Sequence, residues 1–412
     1  MGPLHGIKVL DLSRILAGPW ATQCLADFGA TVWKVEKPGS GDDTRHWGPP
    51  WIRDKEGKDT AEAAYFASTN RGKHSLAIDF TRPAGQQIIR SLALRADVLI
   101  ENFKVGTLAK YRLGYESLKR INPRLIYCSI SAFGQDGPAA NEPGYDAMIQ
   151  AISGLMSVTG VPDGEPGAGP VKVGVAVSDL ISGMYATCAI LAALYEREES
   201  GRGEYIDLAL LDAQVAALAN QTLNYLVTGT PPGRRGTAHP NIVPYQAFRT
   251  KDAWLMLAVG NDKQYEAFCA AAGAGALAND KRYRTNAGRV EHRAALIPAV
   301  EKLCRKRTTK DWVEILTRSN VPCGPINSIE EVFEEPQIKH RKMRFELSHA
   351  LGGKVPQVRN PLLFSRNTLD YSTPPPLLGE HTRAVLSAEL GLTEAEFLSL
   401  ETDGTVVQFP LR

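Results

Sequence analysis

The chain has 412 residues, 43% hydrophobic and 22% charged, an ordinary globular usage that excludes a mainly disordered or fibrous protein. Its 47 Lys and Arg against 45 Asp and Glu leave a formal charge of +2, so no overall basic field points to nucleic acid. At roughly 150 residues per domain the length suggests two or three domains, with enough core to need neither metal nor disulfide.

The first residues show neither a basic n-region nor an apolar h-region. The longest apolar stretch, Met184 to Tyr195, is too short for about 30 Å of hydrocarbon, so a soluble protein without membrane contact is expected. The six cysteines, Cys24, Cys128, Cys188, Cys269, Cys304 and Cys323, form no CxxC and have no histidine at zinc spacing. Reduced thiols in a cytoplasmic protein are the simplest account.

In chain order, Ile7 to Leu12, Thr31 to Val35, Ser75 to Phe80, Asp97 to Ile100 and Leu125 to Ser131 read as strands. Gly18 to Phe28, Pro83 to Arg95 and Tyr115 to Ile121 read as the helices between them. Several of the strands are apolar throughout, as in a parallel sheet covered on both faces, which predicts a doubly wound, Rossmann-like α/β layer. A Gly- and Pro-rich loop, Gly160 to Pro170, leads into a small-residue helix from about Leu180 to Arg197. Tyr205 to Leu210 follows as a strand and Leu211 to Val227 as a helix. Gly229 to Gly236 is the clearest linker. Beyond it, Tyr245 to Arg249 and Trp254 to Val259 predict antiparallel strands of a smaller α+β domain ending near Pro325. Near the C-terminus a helix begins at about Thr382, and Thr393 with Glu396 spells a capping box for a last one.

A doubly wound sheet first suggests a dinucleotide enzyme. The turn after the first strand, Ser13-Arg14-Ile15-Leu16-Ala17-Gly18-Pro19, lacks the glycine fingerprint that lets a pyrophosphate approach the backbone. GxxxxGK[ST], HExxH and GxSxG are absent as well. Asp179 stands at the mouth of the small-residue helix, where an aspartate is an ordinary N-cap. The same placement suits a nucleophile, because helix amides keep a carboxylate ionised. Arg71, Lys73 and His74 cluster before one strand, and Lys104, Lys110 and Arg112 after another. Solvated surface charge explains both groups, yet Asn102, Phe103 and Lys104 should lie in the crevice outside the strand ends, where a polyphosphate ligand with an aromatic base would sit. Tyr145-Asp146 reads as a helix start rather than an acid–base pair.

Taken together, Gly6-Ile7-Lys8-Val9-Leu10-Asp11-Leu12, Leu16-Ala17-Gly18-Pro19, Lys34-Val35-Glu36-Lys37-Pro38, Gly41-Asp42-Asp43-Thr44-Arg45, Asn70-Arg71-Gly72-Lys73-His74-Ser75, Glu101-Asn102-Phe103, Gly144-Tyr145-Asp146, Ser178-Asp179 and Leu378-Gly379-Glu380-His381-Thr382 resemble the family III CoA-transferases, which include formyl-CoA transferase, carnitine CoA-transferase and the α-methylacyl-CoA racemases. The resemblance implies that Asp179 is the nucleophile, passing through aspartyl-acyl anhydride and aspartyl-CoA intermediates, with acyl-CoA as substrate and no permanently bound cofactor or metal. It places Leu16, Ala17, Lys37, Arg71, Lys73, His74, Ser75, Leu76, Asn102, Phe103, Lys104, Lys110 and Phe133 along coenzyme A. His74 stands where Lys or Arg is usual, Phe133 where a tyrosine occurs, and Lys110 where an arginine occurs.

The departures narrow the reaction. Racemases of this fold carry a histidine where this chain has Tyr145, and a phenol, ordinarily ionising near pH 10, is a poor base at neutrality. Arg234-Arg235-Gly236-Thr237-Ala238-His239 and Ile242-Val243-Pro244-Tyr245-Gln246-Ala247-Phe248 match members that move CoA from succinyl-CoA to a short dicarboxylic acid such as glutarate. A distal carboxylate needs a cation, for which Arg14, Arg45 and Arg235 are the candidates, with Tyr145 beside the substrate. The rival of another class is a non-catalytic acyl-CoA-binding protein in which Asp179 is only a cap. The family pattern also implies that residues 1–227 and 326–412 form one CoA-binding domain interrupted by a smaller domain at 228–325. It implies an interlocked, ring-like homodimer too.

Overall fold

Six strands run parallel, and their sequences explain why. In β1 (Lys8–Asp11), β2 (Thr31–Glu36), β3 (Lys73–Ile78), β4 (Val98–Glu101), β5 (Ile126–Ser131) and β6 (Tyr205–Ala209), apolar side chains fill half or more of each run and occupy consecutive positions, so they point to both faces. The sheet can therefore be stable only with helices on both sides. One face buries Leu10, Trp33, Leu76 and Leu99 beneath α2 (Pro83–Ala93) and the helix Thr382–Leu390. The other buries Val9, Val32, Val98 and Ile126 beneath α1 (Ala17–Asp27) and the long helix Val177–Ser200. Each such Leu, Ile or Val withdrawn from water contributes roughly 1.5–3 kcal/mol before the cost of ordering it.

The structure, a computed structural model, describes residues 2–409. Across the sheet the order is β6, β5, β4, β1, β2, β3, closed by the short antiparallel strand Val406–Val407 on β3. Val9 of β1 stands beside Val32 of β2 on one side and Val98 of β4 on the other. The chain works outward from β1 to β3, then returns to β1's other flank and works outward again. That reversal opens a crevice beyond the carboxyl ends of β1 and β4, the place where open α/β sheets bind ligands.

Compact units divide the chain discontinuously. One contains the residues up to Met156, Lys172–Thr230 and those from Arg341 onward; the other contains Ser157–Val171 and Pro231–His340. The limits between these units lie at 156/157, 171/172, 230/231 and 340/341, against the 227/228 and 325/326 expected for domains, and the Gly- and Pro-rich loop groups with the smaller unit. That unit has a three-stranded antiparallel sheet, Tyr245–Arg249, Trp254–Ala258 and Cys323–Pro325, over a core that includes Phe248, Tyr265, Phe268 and Trp312.

Two elements differ from the sequence reading. The span Leu211 to Val227 is two helices, Leu210–Ala217 and Asn220–Thr228, because Ala219 between them has φ +45° and breaks the ladder. The helix expected over Leu180 to Arg197 runs from Val177 to Ser200, 24 residues, long and apolar enough to cross a bilayer by length and composition. Here Ala186, Ile190 and Leu194 pack it against the sheet, which accounts for much of its apolar character.

Candidate active site

The loop leaving β1 is held from both sides by buried groups. Asp11 accepts the backbone amide of Ser13 at 2.9 Å and hydroxyls of Ser13 and Thr22 at 2.5 Å, and pairs with Lys73 at 3.1 Å. Lys34 donates to the Ser13 carbonyl at 3.0 Å and to Asp42 at 2.9 Å. Asp42 in turn accepts the amides of Ile15, at 3.2 Å, and Thr44, at 3.0 Å. Ile15 is the notable residue of this loop, a β-branched side chain at φ +68°, a backbone conformation that costs energy unless its surroundings impose it. From the β4 side, Asn102 accepts the Arg14 amide at 2.8 Å and donates to the Arg14 carbonyl at 2.7 Å. The loop is therefore rigid, and it delivers Leu16 and Ala17 to the start of α1, whose first amides have no side-chain cap.

Around this loop are two cavities. The first, about 290 Å³, is lined by Arg14, Leu16, Ala17, Asn102, Phe103, Lys104, Tyr145, Asp146 and Asp179 among others. The second, about 370 Å³, lies beyond β1, β2 and β3 and includes Lys37, Ser40, Asp79 and Thr81. Arg14, Asp43 and Phe103 line both. Arg14 pairs with Asp43 at 3.1 Å, and its guanidinium carbon stands 5.3 Å from the Phe103 ring centroid.

Asp179 occupies the third helical position of Val177–Ser200, not the N-cap, which is Ala176. The capping is done by Asp146, the first residue of the helix Asp146–Ile152: its Oδ1 accepts the amides of Ser178 at 2.8 Å and Asp179 at 3.2 Å. The Asp179 carboxylate accepts no hydrogen bond from the described residues. Burial, with the Asp146 charge adding to it, pushes its pKa up to about 7. Gly183, one turn further on, lets this helix close on the start of α1, because a Cβ there would stand 2.6 Å from the Ala17 carbonyl oxygen. The plain-cap account of Asp179 thus fails on geometry.

The remaining expected contacts separate into accessible and engaged groups. Lys37, Lys104 and Lys110 are exposed cations, the first two on the cavity walls. Lys73, Ser75 and Leu76 are fully buried in β3. Lys73 is spent on Asp11, Asn70 and the Pro19 carbonyl, and burial lowers its pKa to about 8 despite the Asp11 charge. Ser75 donates to Glu36. Arg71 is buried against both carboxylate oxygens of Asp27, and Arg45 against Glu36 and Glu62. These side chains hold loops together and are not free for phosphate or a distal carboxylate, contrary to the expectation. His74 packs on His381 at 4.8 Å between ring centroids, burial lowers the pKa of both, and neither Nδ1 has a partner among the described residues. Phe133 is half-buried in the core beside β5, and Arg235 is exposed in the smaller unit. Sequence reasoning passed over Lys34, Asp42 and the capping role of Asp146; only the four-residue spacing of Asp146 and Gln150 offered a local signal.

The description CoA-transferase family III matches residues 4–382. The chain is 50% identical over 392 residues to the succinate–glutarate CoA-transferase of Agrobacterium fabrum, covering 95% of this chain and 96% of that one. It is 42% identical over 406 residues to the succinyl-CoA:glutarate CoA-transferase of Homo sapiens, covering 98% and 90%. Among solved structures it superposes on a CAIB/BAIF family protein from Brucella suis with a TM-score of 0.82 at 47% identity, covering 94% of this chain and 99% of that one.

Proposed function

Because this chain belongs to CoA-transferase family III and is a CoA-transferase, we propose that it moves CoA from succinyl-CoA to a short dicarboxylic acid such as glutarate, with Asp179 as the nucleophile. The observation that carries this reading is the Asp179 carboxylate, uncapped and lining the cavity at the sheet's reversal point. Held against a thioester, a weak carboxylate nucleophile gains an effective molarity on the order of 10⁵ M or more. Its oxygen attacks the acyl carbonyl, the C–S bond breaks, and CoA leaves as thiolate from an aspartyl-acyl anhydride. The thiolate attacks the aspartyl carbonyl, releasing the donor acid as carboxylate and leaving aspartyl-CoA. An acceptor carboxylate then displaces the thiolate to form a second anhydride, and the returning thiolate takes its acyl group and frees Asp179. The uncapped amides at the start of α1 are oriented donors for the oxyanions.

The two cavities suit the two ends of the thioester: Lys37 beside the second for phosphate, Asn102, Phe103 and Lys104 along the chain between them. Incubation with succinyl-CoA should add a covalent mass to the peptide containing Asp179; no adduct and no exchange would defeat the proposal.

Arg14 is the candidate for the distal carboxylate, since Arg45 is sequestered by Glu36 and Glu62. Arg14→Ala should raise KM for dicarboxylates by about tenfold or more and leave that for monocarboxylates nearly unchanged. Equal effects on both would assign Arg14 to CoA instead. Pairing into an interlocked homodimer belongs to the same reading and is supported by Met184, Tyr185 and Tyr195, left exposed on the helix that carries Asp179. Sedimentation equilibrium returning a single chain would refute it.

A further inference from the structure

We propose that Asp146 is a positioning residue for the nucleophile: from a neighbouring helix it takes over the capping of the Asp179 helix, so that Asp179's own carboxylate stays free for the acyl carbon. The inference rests on Asp179 being the nucleophile. An aspartate at the third position of a helix ordinarily folds back on the helix's own first turn. Here that turn is already satisfied, because one Asp146 oxygen accepts the Ser178 and Asp179 amides.

The other Asp146 oxygen accepts the Gln150 amide nitrogen at 2.6 Å, one turn along the same helix. Gln150 Oε1 accepts the amide of Val173 at 2.9 Å, on the segment that enters the Asp179 helix. Ser178 donates its hydroxyl to Gln214 at 2.8 Å. Both Asp146 oxygens and both ends of Gln150 are thus occupied, which fixes the carboxylate in one orientation and ties the entry segment to it.

The arrangement also places a second carboxylate near the nucleophile; burial, with that charge adding to it, raises the Asp179 pKa to about 7. Arg14 and Asp43 beyond β1 and β2, Lys104 beyond β4, and Glu142 and Tyr145 ahead of the Asp146 helix face the same cavity. Tyr65 is close enough for the Asp179 charge to help raise its pKa, after burial. Among these, Asp146 is the group hydrogen-bonded to the Asp179 backbone.

Asp146→Asn keeps an acceptor for the two amides, removes the charge, and replaces the acceptor of Gln150 Nε2 by a second donor. Its acid limb of kcat/KM should move down from about 7 by about one pH unit, with KM for acyl-CoA nearly unchanged. Gln150→Met keeps the charge and removes the tether; it should lower kcat by about tenfold and leave the acid limb in place. Trapping the covalent adduct in single-turnover experiments separates the two layers of the argument. If the wild-type protein forms no adduct at Asp179, the nucleophile reading fails. If the wild type forms it and Asp146→Asn leaves the acid limb unmoved, or Gln150→Met acts wholly through KM, only the role of Asp146 is overturned. Should Asp146→Asn not fold, the KM-against-kcat split of Gln150→Met decides the matter.

Discussion

Asp179→Asn should lower transfer by a factor on the order of 10⁴ or more and abolish the covalent adduct, while the fold and acyl-CoA binding persist. An amide nitrogen and oxygen fill the same volume, but neither can form the anhydride. The variant carries a second signature that a purely structural residue would not. In the folded wild type the carboxyl titrates near 7, above the ordinary value for an unfolded aspartate of about 3.9. The folded state therefore binds the proton more tightly, and holding the charged form costs stability that is fully felt above pH 7 and disappears as pH falls toward 4. Asp179→Asn should accordingly raise the urea midpoint at pH 8 and leave it unchanged at pH 4. A variant that is inactive but less stable at pH 8 would mean that the side chain supports the helix rather than the reaction.

Asp42→Ala should be the most destabilising single change near the site, by about 3–5 kcal/mol. The Lys34–Asp42 pair has no exposed side-chain surface on either partner. Burial opposes both charges, yet each holds the other: Lys34 raises its proton affinity against Asp42, and Asp42 is kept below the usual carboxylate range by Lys34 and the Thr44 donors. Removing Asp42 strands the ammonium in the core and releases the Ile15 amide, so the strained loop loses what imposes its conformation. Urea unfolding compared with a Lys34→Met/Asp42→Leu double variant isolates the cause. The double variant should recover most of the stability but not the activity, because the loop stays unpinned; equal instability in both would place the cost in packing instead of charge.

The sheet was legible because its strands are buried on both faces, and burial writes itself as uninterrupted Val, Ile and Leu in Val9-Leu10 or Val98-Leu99-Ile100. The hairpins Trp51–Arg53 with Asp59–Ala63 and Arg344–Ser348 with Lys354–Val358 left no such trace, since exposed residues, among them Arg53, Asp59, Arg344, Glu346 and Lys354, interrupt each strand. Basic residues misled for a related reason. Arg45, Arg71 and Lys73 have the composition of anion sites, the first for a distal carboxylate and the others along coenzyme A, but their partners Glu36, Asp27 and Asp11 lie 9, 44 and 62 residues away, and residue type alone does not say which cation has met an anion inside the fold. Asp179 was visible as a helix start; that another helix supplies its cap depends on a contact 33 residues away.

The two-residue strand Val406–Val407 has a bearing on how the molecule is made. Its register against Ile78 and Ala77 closes the open edge of β3, and Thr382 donates to the Val407 carbonyl while its oxygen accepts the Ala77 amide. During synthesis, β3 emerges more than 300 residues before the segment that covers it. For most of translation the larger unit thus presents an unpaired strand edge to its surroundings, whereas the core elements of the smaller unit, Tyr245 to Pro325, are contiguous and able to assemble first. Order of folding therefore need not follow order of sequence: the parallel sheet is the first layer to be synthesised and the last to gain its edge strand.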